Sequence, residues 1–154
     1  MIRVSVDDYG RHSDLIVRVD GSPERLFEAE TGWLGSFWGT DDMAAYRWSE
    51  QQLIEEKRQN VARLIRFWQE LLTCGQPIVY LLLDLADQSG SALQIVQRRK
   101  TVRVRHAWTV DLTDGIPQDN FLRNQAGVNW HVDANETWDL ALKSIVTGLD
   151  WSLA

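Results

Sequence analysis

The sequence predicts an α+β fold: a single domain over residues 1–154, with a mainly antiparallel β-sheet of about five strands and two helices packed on one face. Three observations lead to this prediction. Apolar residues alternate in several short segments, a long stretch after Ser49 repeats them at helical spacing, and a shorter helical stripe lies near the C-terminus. A length of 154 residues is that of one ordinary globular domain.

The N-terminal segment is predicted to be a β-hairpin. Apolar and polar residues alternate over 2–6 and again over 15–19, and the turn-forming segment 7–13 joins them. The next segment, 21–48, shows no clear period and is predicted to be irregular, with room for short strands. Long irregular segments in compact domains are usually functional, so this is one candidate site region.

A long helix is predicted from Ser49 to about Cys74. Ser49 and Gln52 have the spacing of a capping box, in which each side chain satisfies a backbone amide of the first turn. Apolar residues then recur every three or four positions, and Gly75 followed by Pro77 predicts the end of the helix.

Three strands and a final helix complete the predicted order. The apolar run 77–85 is typical of a central strand covered on both faces, and a second strand is predicted over 92–97. Over 102–112 the alternation is clear, and it predicts that His106 and Trp108 point to the buried face.

The segment 113–135 is rich in Asn, Asp and Gly and is predicted to be a loop, which makes it the second candidate site region. A C-terminal helix is then predicted, capped by Asp133 with Glu136 or by Asn135 alone and ending at Gly148. Its apolar stripe comprises Trp138, Ala141, Leu142, Ile145 and Leu149.

Charge is distributed unevenly around a net value of −6. Residues 1–56 carry 5 basic and 12 acidic groups, residues 57–110 carry 9 and 3, and residues 111–154 carry 2 and 7. The basic run 98–105 could track phosphates, but Trp108 is predicted on the opposite face, so no aromatic residue accompanies the arginines. The sequence therefore favours no nucleic-acid partner. It favours internal ion pairs with the acidic ends of the chain, or a positively charged strand that resists edge pairing.

Catalytic and metal-binding motifs are missing from the sequence. There is no phosphate-binding loop, dinucleotide fingerprint, nucleophile elbow or zinc-helix motif, and His12, His106 and His131 lack metal-ligand spacing. The single cysteine excludes an internal disulfide, as expected in a reducing compartment. We expect no catalysis, no cofactor, no metal and no membrane partner, and a cytoplasmic location.

Tryptophan is unusually frequent, with 8 residues, and several lie beside carboxylates in the two candidate site regions. Such pairs suit a surface that binds Arg- or Lys-rich protein. The profile resembles that of a bacterial immunity-type inhibitor, a non-catalytic protein that neutralises a basic cognate toxin. The residues predicted to contact this partner are Trp38, Asp41, Asp42, Trp48, Asp114, Asp119 and Trp130.

The alternative prediction is a small α+β enzyme or ligand-binding domain. In this interpretation Trp68, Tyr80, His106 and Trp108 line an apolar pocket, and His106 acts as the acid or base. The sequence leaves the oligomeric state open.

Overall fold

The computed structural model describes residues 1–7, 13–38, 47–86, 88–110 and 127–154. Within these ranges the chain forms β-strands and α-helices in the following order: β1 (Ile2–Val6), β2 (Leu15–Val19), β3 (Arg25–Ala29), α1 (Gly32–Phe37), α2 (Glu50–Thr73), β4 (Ile78–Ala86), β5 (Ser89–Gln97), β6 (Thr101–Thr109), β7 (His131–Ala141) and α3 (Leu142–Leu153). No helix in the described ranges is long and apolar enough to cross a membrane.

The strands form two antiparallel sheets, one in the order β1-β2-β3 and the other in the order β4-β5-β6-β7. The predicted α+β class is confirmed, but the prediction of a single sheet of about five strands is wrong. Two strands that the sequence pattern did not identify account for the difference: β3 completes the small sheet, and β7 completes the larger one.

The N-terminal hairpin is confirmed, and β3 extends it. Val4 pairs with Val17, which pairs in turn with Phe27, so the three side chains lie on one face and contribute to the core. β3 has only two buried residues, Phe27 and Ala29. Two positions are too few to establish a period, which explains why the sequence allowed short strands in the segment 21–48 but did not locate one.

Helix α2 begins as predicted. The Ser49 hydroxyl accepts a hydrogen bond from the Gln52 backbone N–H at 3.3 Å, and the Gln52 side-chain oxygen accepts one from the Ser49 backbone N–H at 2.8 Å. Gly75, with φ of 79°, lies just beyond the helix end in the left-handed conformation that glycine adopts readily. The helix buries an apolar stripe that includes Trp68.

Strand β4 is an outer strand of its sheet and not the central strand that its apolar run predicts. Leu81, Leu82 and Leu83 are nonetheless all buried. The pairing register shifts between Leu82 and Asp84, so Leu83 forms a bulge. An uninterrupted apolar run therefore indicates cover on both faces, which here does not require a partner strand on each side.

The C-terminal helix begins at Leu142 and not near Asn135, and it continues beyond Gly148 to Leu153. Residues 131–141 form β7, where Trp138 pairs with Val104 and Leu140 pairs with Val102. The apolar residues at 138, 140 and 142 fit the period of two of a strand as well as the period of a helix. Pairing with β6 decides in favour of the strand.

A single hydrophobic cluster includes residues from both sheets and all three helices, such as Leu34 of α1 and Ile145 of α3. Buried Asp14 crosslinks the elements around the small sheet. Its carboxylate accepts hydrogen bonds from the backbone N–H and the hydroxyl of Thr31, each at 2.7 Å, and pairs with the Lys57 ammonium at 2.7 Å. Three charge-assisted contacts fix β2 relative to α1 and α2.

Candidate functional site

The structure describes three of the seven predicted partner-binding residues. Trp38, Trp48 and Trp130 are all half-buried. The carboxylates of Asp41, Asp42, Asp114 and Asp119 lie outside the described residues.

Packing contacts explain why two of these tryptophans are partly buried. Trp38 is the C-cap of α1, and its side chain packs against the core. The Trp130 indole stacks on the Tyr80 ring, with 5.0 Å between ring centroids and 14° between ring planes. Trp33, which also lies in the segment 21–48, is buried in α1. Trp108 of β6 is more exposed than any of these four tryptophans.

Trp108 is 41% exposed, although the alternation in β6 predicts that it is buried. The prediction of its face is consistent with the register, since Trp108 pairs with Ser91 and His106 pairs with Leu93 on the same side of the sheet. The prediction is wrong about burial, because the elements that pack on this face of the sheet do not extend over Trp108. Phe27 of the small sheet reaches the His106 ring, at 5.1 Å between centroids, while Trp108 lies one alternate residue further along β6.

Trp108 belongs to a row of side chains that crosses all four strands. Asp84 pairs with Ser91, Ser91 with Trp108, and Trp108 with His131. The Trp108 ring lies 6.0 Å from the His131 ring, centroid to centroid, and 28° separate their planes. His131 is exposed, so the two rings together present an aromatic surface to solvent.

A carboxylate ends this row on β4, and a second carboxylate lies near its other end on β7. Asp84 lies at the β4 end, close enough to Glu30 for their charges to interact, and Asp133 follows two residues after His131. Burial raises the pKa of Asp84, Glu30 raises it further, and a hydrogen bond with the Leu85 backbone opposes the two. We call this set the acidic aromatic patch; it comprises Glu30, Asp84, Trp108, His131 and Asp133.

The patch carboxylates have no cationic partner among the described residues. Arg25, the basic residue of β3, pairs with Glu136 at 3.5 Å, and the remaining described ion pairs involve other carboxylates. Because two of these carboxylates repel each other and one is partly desolvated, the patch favours an incoming positive charge.

His106 lies behind the patch, with its ring 6.0 Å from that of Trp108. Burial lowers the pKa of His106, and this effect outweighs the opposing influence of Glu136. The imidazole is therefore neutral near pH 7. Trp68 is fully buried in the core, and Tyr80 lies on the opposite face of the sheet from His106. These side chains do not line one pocket around His106.

Two cavities lie against β1, and Trp68, Tyr80, His106 and Trp108 do not line either of them. The larger, about 470 Å³, lies between β1, α2 and the end of α3, and the smaller, about 220 Å³, lies beside Trp151. Within the described ranges no group of His, Cys, Asp and Glu side chains is arranged to hold a metal ion.

Comparison with protein-family models, curated proteins and solved structures gave no match. Sequence reasoning missed Trp108 as a surface residue because alternation identifies the face of a strand but not where the cover over that face ends. It missed Asp84 because the residue lies inside an apolar run that was assigned to the core.

Proposed function

We propose that this chain is a non-catalytic protein-binding module that captures a basic partner, in the manner of an immunity-type inhibitor that neutralises a cognate toxin in the cytoplasm. The observation that carries the proposal is the exposed Trp108 ring in a row that runs from Asp84 to His131, with Asp133 two residues beyond His131. Neither carboxylate has an ion-pair partner among the described residues. An exposed aromatic ring beside carboxylates is the combination that receives a lysine or arginine side chain.

The electrostatics of the patch support a cationic ligand. Burial and the charge of Glu30 both disfavour the ionised form of Asp84, and they raise its pKa. A lysine or arginine supplied by a partner would relieve both effects, since an opposite charge stabilises the ionised form. The Trp108 face would contribute cation–π attraction and apolar contact area in the same place.

The loop residues predicted from the sequence extend the proposal. Asp41, Asp42, Asp114 and Asp119 add four negative charges in the two candidate site regions, and an acidic surface steers basic proteins toward itself over several ångströms. We propose that these carboxylates increase the association rate, while the acidic aromatic patch provides the contacts that determine the dissociation rate.

The proposal is tested by capture of proteins from a lysate of the source organism, and of proteins encoded beside this chain, on immobilised wild type and Glu30→Lys. Glu55→Lys is the matched control, because Glu55 is an exposed glutamate on α2 whose carboxylate accepts a hydrogen bond from the Gln59 side chain and belongs to no part of the patch. We expect a basic protein to bind wild type and Glu55→Lys, and to bind Glu30→Lys at least about tenfold more weakly.

Purified captured protein must then bind directly, and it must lose its own activity when bound. Equal capture by Glu30→Lys and Glu55→Lys would place the binding surface elsewhere. Capture of an acidic protein, or a purified partner whose activity persists in the complex, would contradict the inhibitor proposal. The Asp41→Lys, Asp42→Lys double variant tests the loop contribution separately, with a slower association rate as the expected result.

A further inference from the structure

Strand β1 is an edge strand of the small sheet, and α3 covers only part of its free edge. The Asp7 N–H donates to the Asp14 carbonyl oxygen at 2.8 Å. Because bonded pairs alternate along an antiparallel ladder, the backbone groups of Val4 and Val6 point away from β2. The Val4 N–H accordingly donates to the Ser152 hydroxyl of α3 at 2.8 Å. The Val4 carbonyl and both backbone groups of Val6 have no hydrogen-bond partner among the described residues, so this part of the edge is open to another strand.

The larger of the two cavities lies on one face of this open edge. Val4 and Val6, whose side chains share a face of β1, line it together with Val61, Ala62 and Ile65 of α2. Its volume of about 470 Å³ falls within the range of ligand-binding clefts, which is about 300–1,000 Å³. A strand added beside Val6 would therefore find an apolar cavity for a side chain on this face.

The smaller cavity, about 220 Å³, lies on the opposite face of the same edge. Arg3 and Arg18, which pair across β1 and β2, line it together with the exposed Trp151. Their carboxylate partners, Asp20 and Glu24, are not among the residues that line it. Arg3 Nε is shielded from solvent and has no hydrogen-bond partner in the described ranges. Two guanidinium groups, one with an unused donor, make this cavity suitable for a carboxylate side chain.

We propose that an extended peptide segment of a partner protein, with apolar and acidic side chains in alternation, adds to β1 as an antiparallel strand. Its backbone bonds to both groups of Val6 and to the Val4 carbonyl, and it continues the antiparallel order of the small sheet. Successive side chains of a strand point to opposite faces, so an apolar residue enters the larger cavity and the next residue, which is acidic, enters the smaller one. We call this site the β1 groove; it comprises Val4, Val6, Ala62, Arg3, Arg18 and Trp151.

A single peptide strand fits the β1 groove better than a second copy of this chain does. In a second copy α3 would cover the same part of the β1 edge, so two copies would share few backbone hydrogen bonds. The groove uses β1, β2, α2 and α3, whereas the acidic aromatic patch uses β4, β6, β7 and Glu30. The two sites bind segments of opposite charge and are separable by mutation.

The test is fluorescence anisotropy with a labelled peptide in which three valines alternate with three glutamates. We expect saturable binding, and binding at least about tenfold weaker when lysines replace the glutamates. N-methylation of the peptide backbone then tests strand addition directly. In an antiparallel pair with β1 the valine nitrogens face β1 and the glutamate nitrogens face away from it. Methylation of the valine nitrogens should abolish binding, whereas methylation of the glutamate nitrogens should preserve it.

Arg18→Glu tests the charge of the smaller cavity. This variant should bind the glutamate peptide at least about tenfold more weakly than wild type does, and it should bind the lysine peptide more tightly than wild type does. The matched control is Arg66→Glu, which makes the same change of charge at an exposed position of α2 outside both cavities. Arg66→Glu should bind both peptides as wild type does.

Ala62→Phe fills the larger cavity and should also lower the affinity for the glutamate peptide at least about tenfold. Gln51→Phe, at an exposed position of α2 outside the cavity, is its control, and circular dichroism confirms that each variant is folded. The proposal is overturned if wild type shows no saturable binding below about 1 mM peptide, if methylated glutamates weaken binding as much as methylated valines, or if either control loses as much affinity as its partner variant. A wild-type dimer that Ala62→Phe converts to a monomer would place a second copy at the edge and would also overturn it.

Discussion

At the scale of single residues, two carboxylates show how surroundings decide a role. Asp14 is buried with three donors around it, two from Thr31 and one from Lys57. Asp84 is half-buried beside Glu30, without a cationic partner among the described residues. A satisfied carboxylate stabilises the fold, whereas an unsatisfied one lowers stability unless a ligand supplies the missing charge.

Asp14→Asn is expected to lower the free energy of unfolding by about 2–4 kcal/mol, because it leaves the Lys57 ammonium without its partner and weakens the bonds from Thr31. Urea denaturation followed by circular dichroism measures the change. Asp20→Asn is the control, since the Asp20–Arg3 pair is about one-third exposed and should contribute no more than about 1 kcal/mol. Equal losses in the two variants would contradict the structural role of Asp14.

Asp84→Asn is expected to raise stability near pH 7. The pKa of Asp84 is raised in the folded state, so the folded protein binds the proton more tightly than the unfolded chain does, and ionisation lowers stability as the pH rises. The gain should shrink as the pH falls and should vanish below the ordinary value of 3.8, where the carboxyl is protonated in both states. Thermal unfolding at several pH values measures the difference from wild type.

Asp139→Asn provides a control with the opposite sign. The bidentate Arg103 contact lowers the pKa of Asp139, so its ionised form stabilises the fold above its unfolded pKa, and the substitution should lower stability at pH 7. If Asp84→Asn also lowers stability at neutral pH, then the assignment of Asp84 as an unsatisfied carboxylate is wrong.

At the scale of elements, local signals predicted some structures and missed others for identifiable reasons. The capping box at Ser49 and the hairpin over 2–19 depend on neighbouring residues, and both are confirmed. The strand β7 depends on pairing with β6, and the apolar residues around Trp138 fit a helix equally well. Pairing with a strand that is distant in sequence decides whether such a segment becomes a strand or a helix. A single sequence does not show which segments pair.

Gly148 illustrates the same limit, since the sequence suggests a helix end but the structure shows a close approach. It lies within α3, where an added Cβ would collide with the Ile2 carbonyl oxygen of β1. Gly148→Ala should therefore lower the free energy of unfolding by about 1–3 kcal/mol, because the helix must move away from the strand. Urea denaturation measures this change.

Gly32→Ala is the matched control for Gly148→Ala. A Cβ at Gly32 has no neighbouring atom within 4 Å, so we expect unchanged stability or a gain of up to about 1 kcal/mol. Comparable losses for the two alanine variants would show that the general effect of replacing glycine, and not the packing of α3 on β1, is responsible.

At the scale of the whole molecule, the larger sheet separates opposite charges onto its two faces. The acidic aromatic patch gathers Glu30, which follows β3, and residues of β4, β6 and β7, whereas Arg103 and Arg105 occupy alternate positions of β6 on the opposite face of the same sheet. Composition predicted an acidic, tryptophan-rich surface, and the alternation in β6 predicted which face carries its arginines. The members of each surface could not be predicted, because they meet only through the register of strands that are distant in sequence.

The central claim is that Trp108 lies at the centre of a surface for a basic protein partner. The most direct measurement is the dissociation constant of the purified partner for Trp108→Ala and Trp151→Ala, two variants that each remove an exposed tryptophan. We predict that Trp108→Ala weakens binding by about thirtyfold or more, as for an interface hot spot, while Trp151→Ala stays within about twofold of wild type. Wild-type affinity in Trp108→Ala, or an equal loss in both variants, would contradict the account.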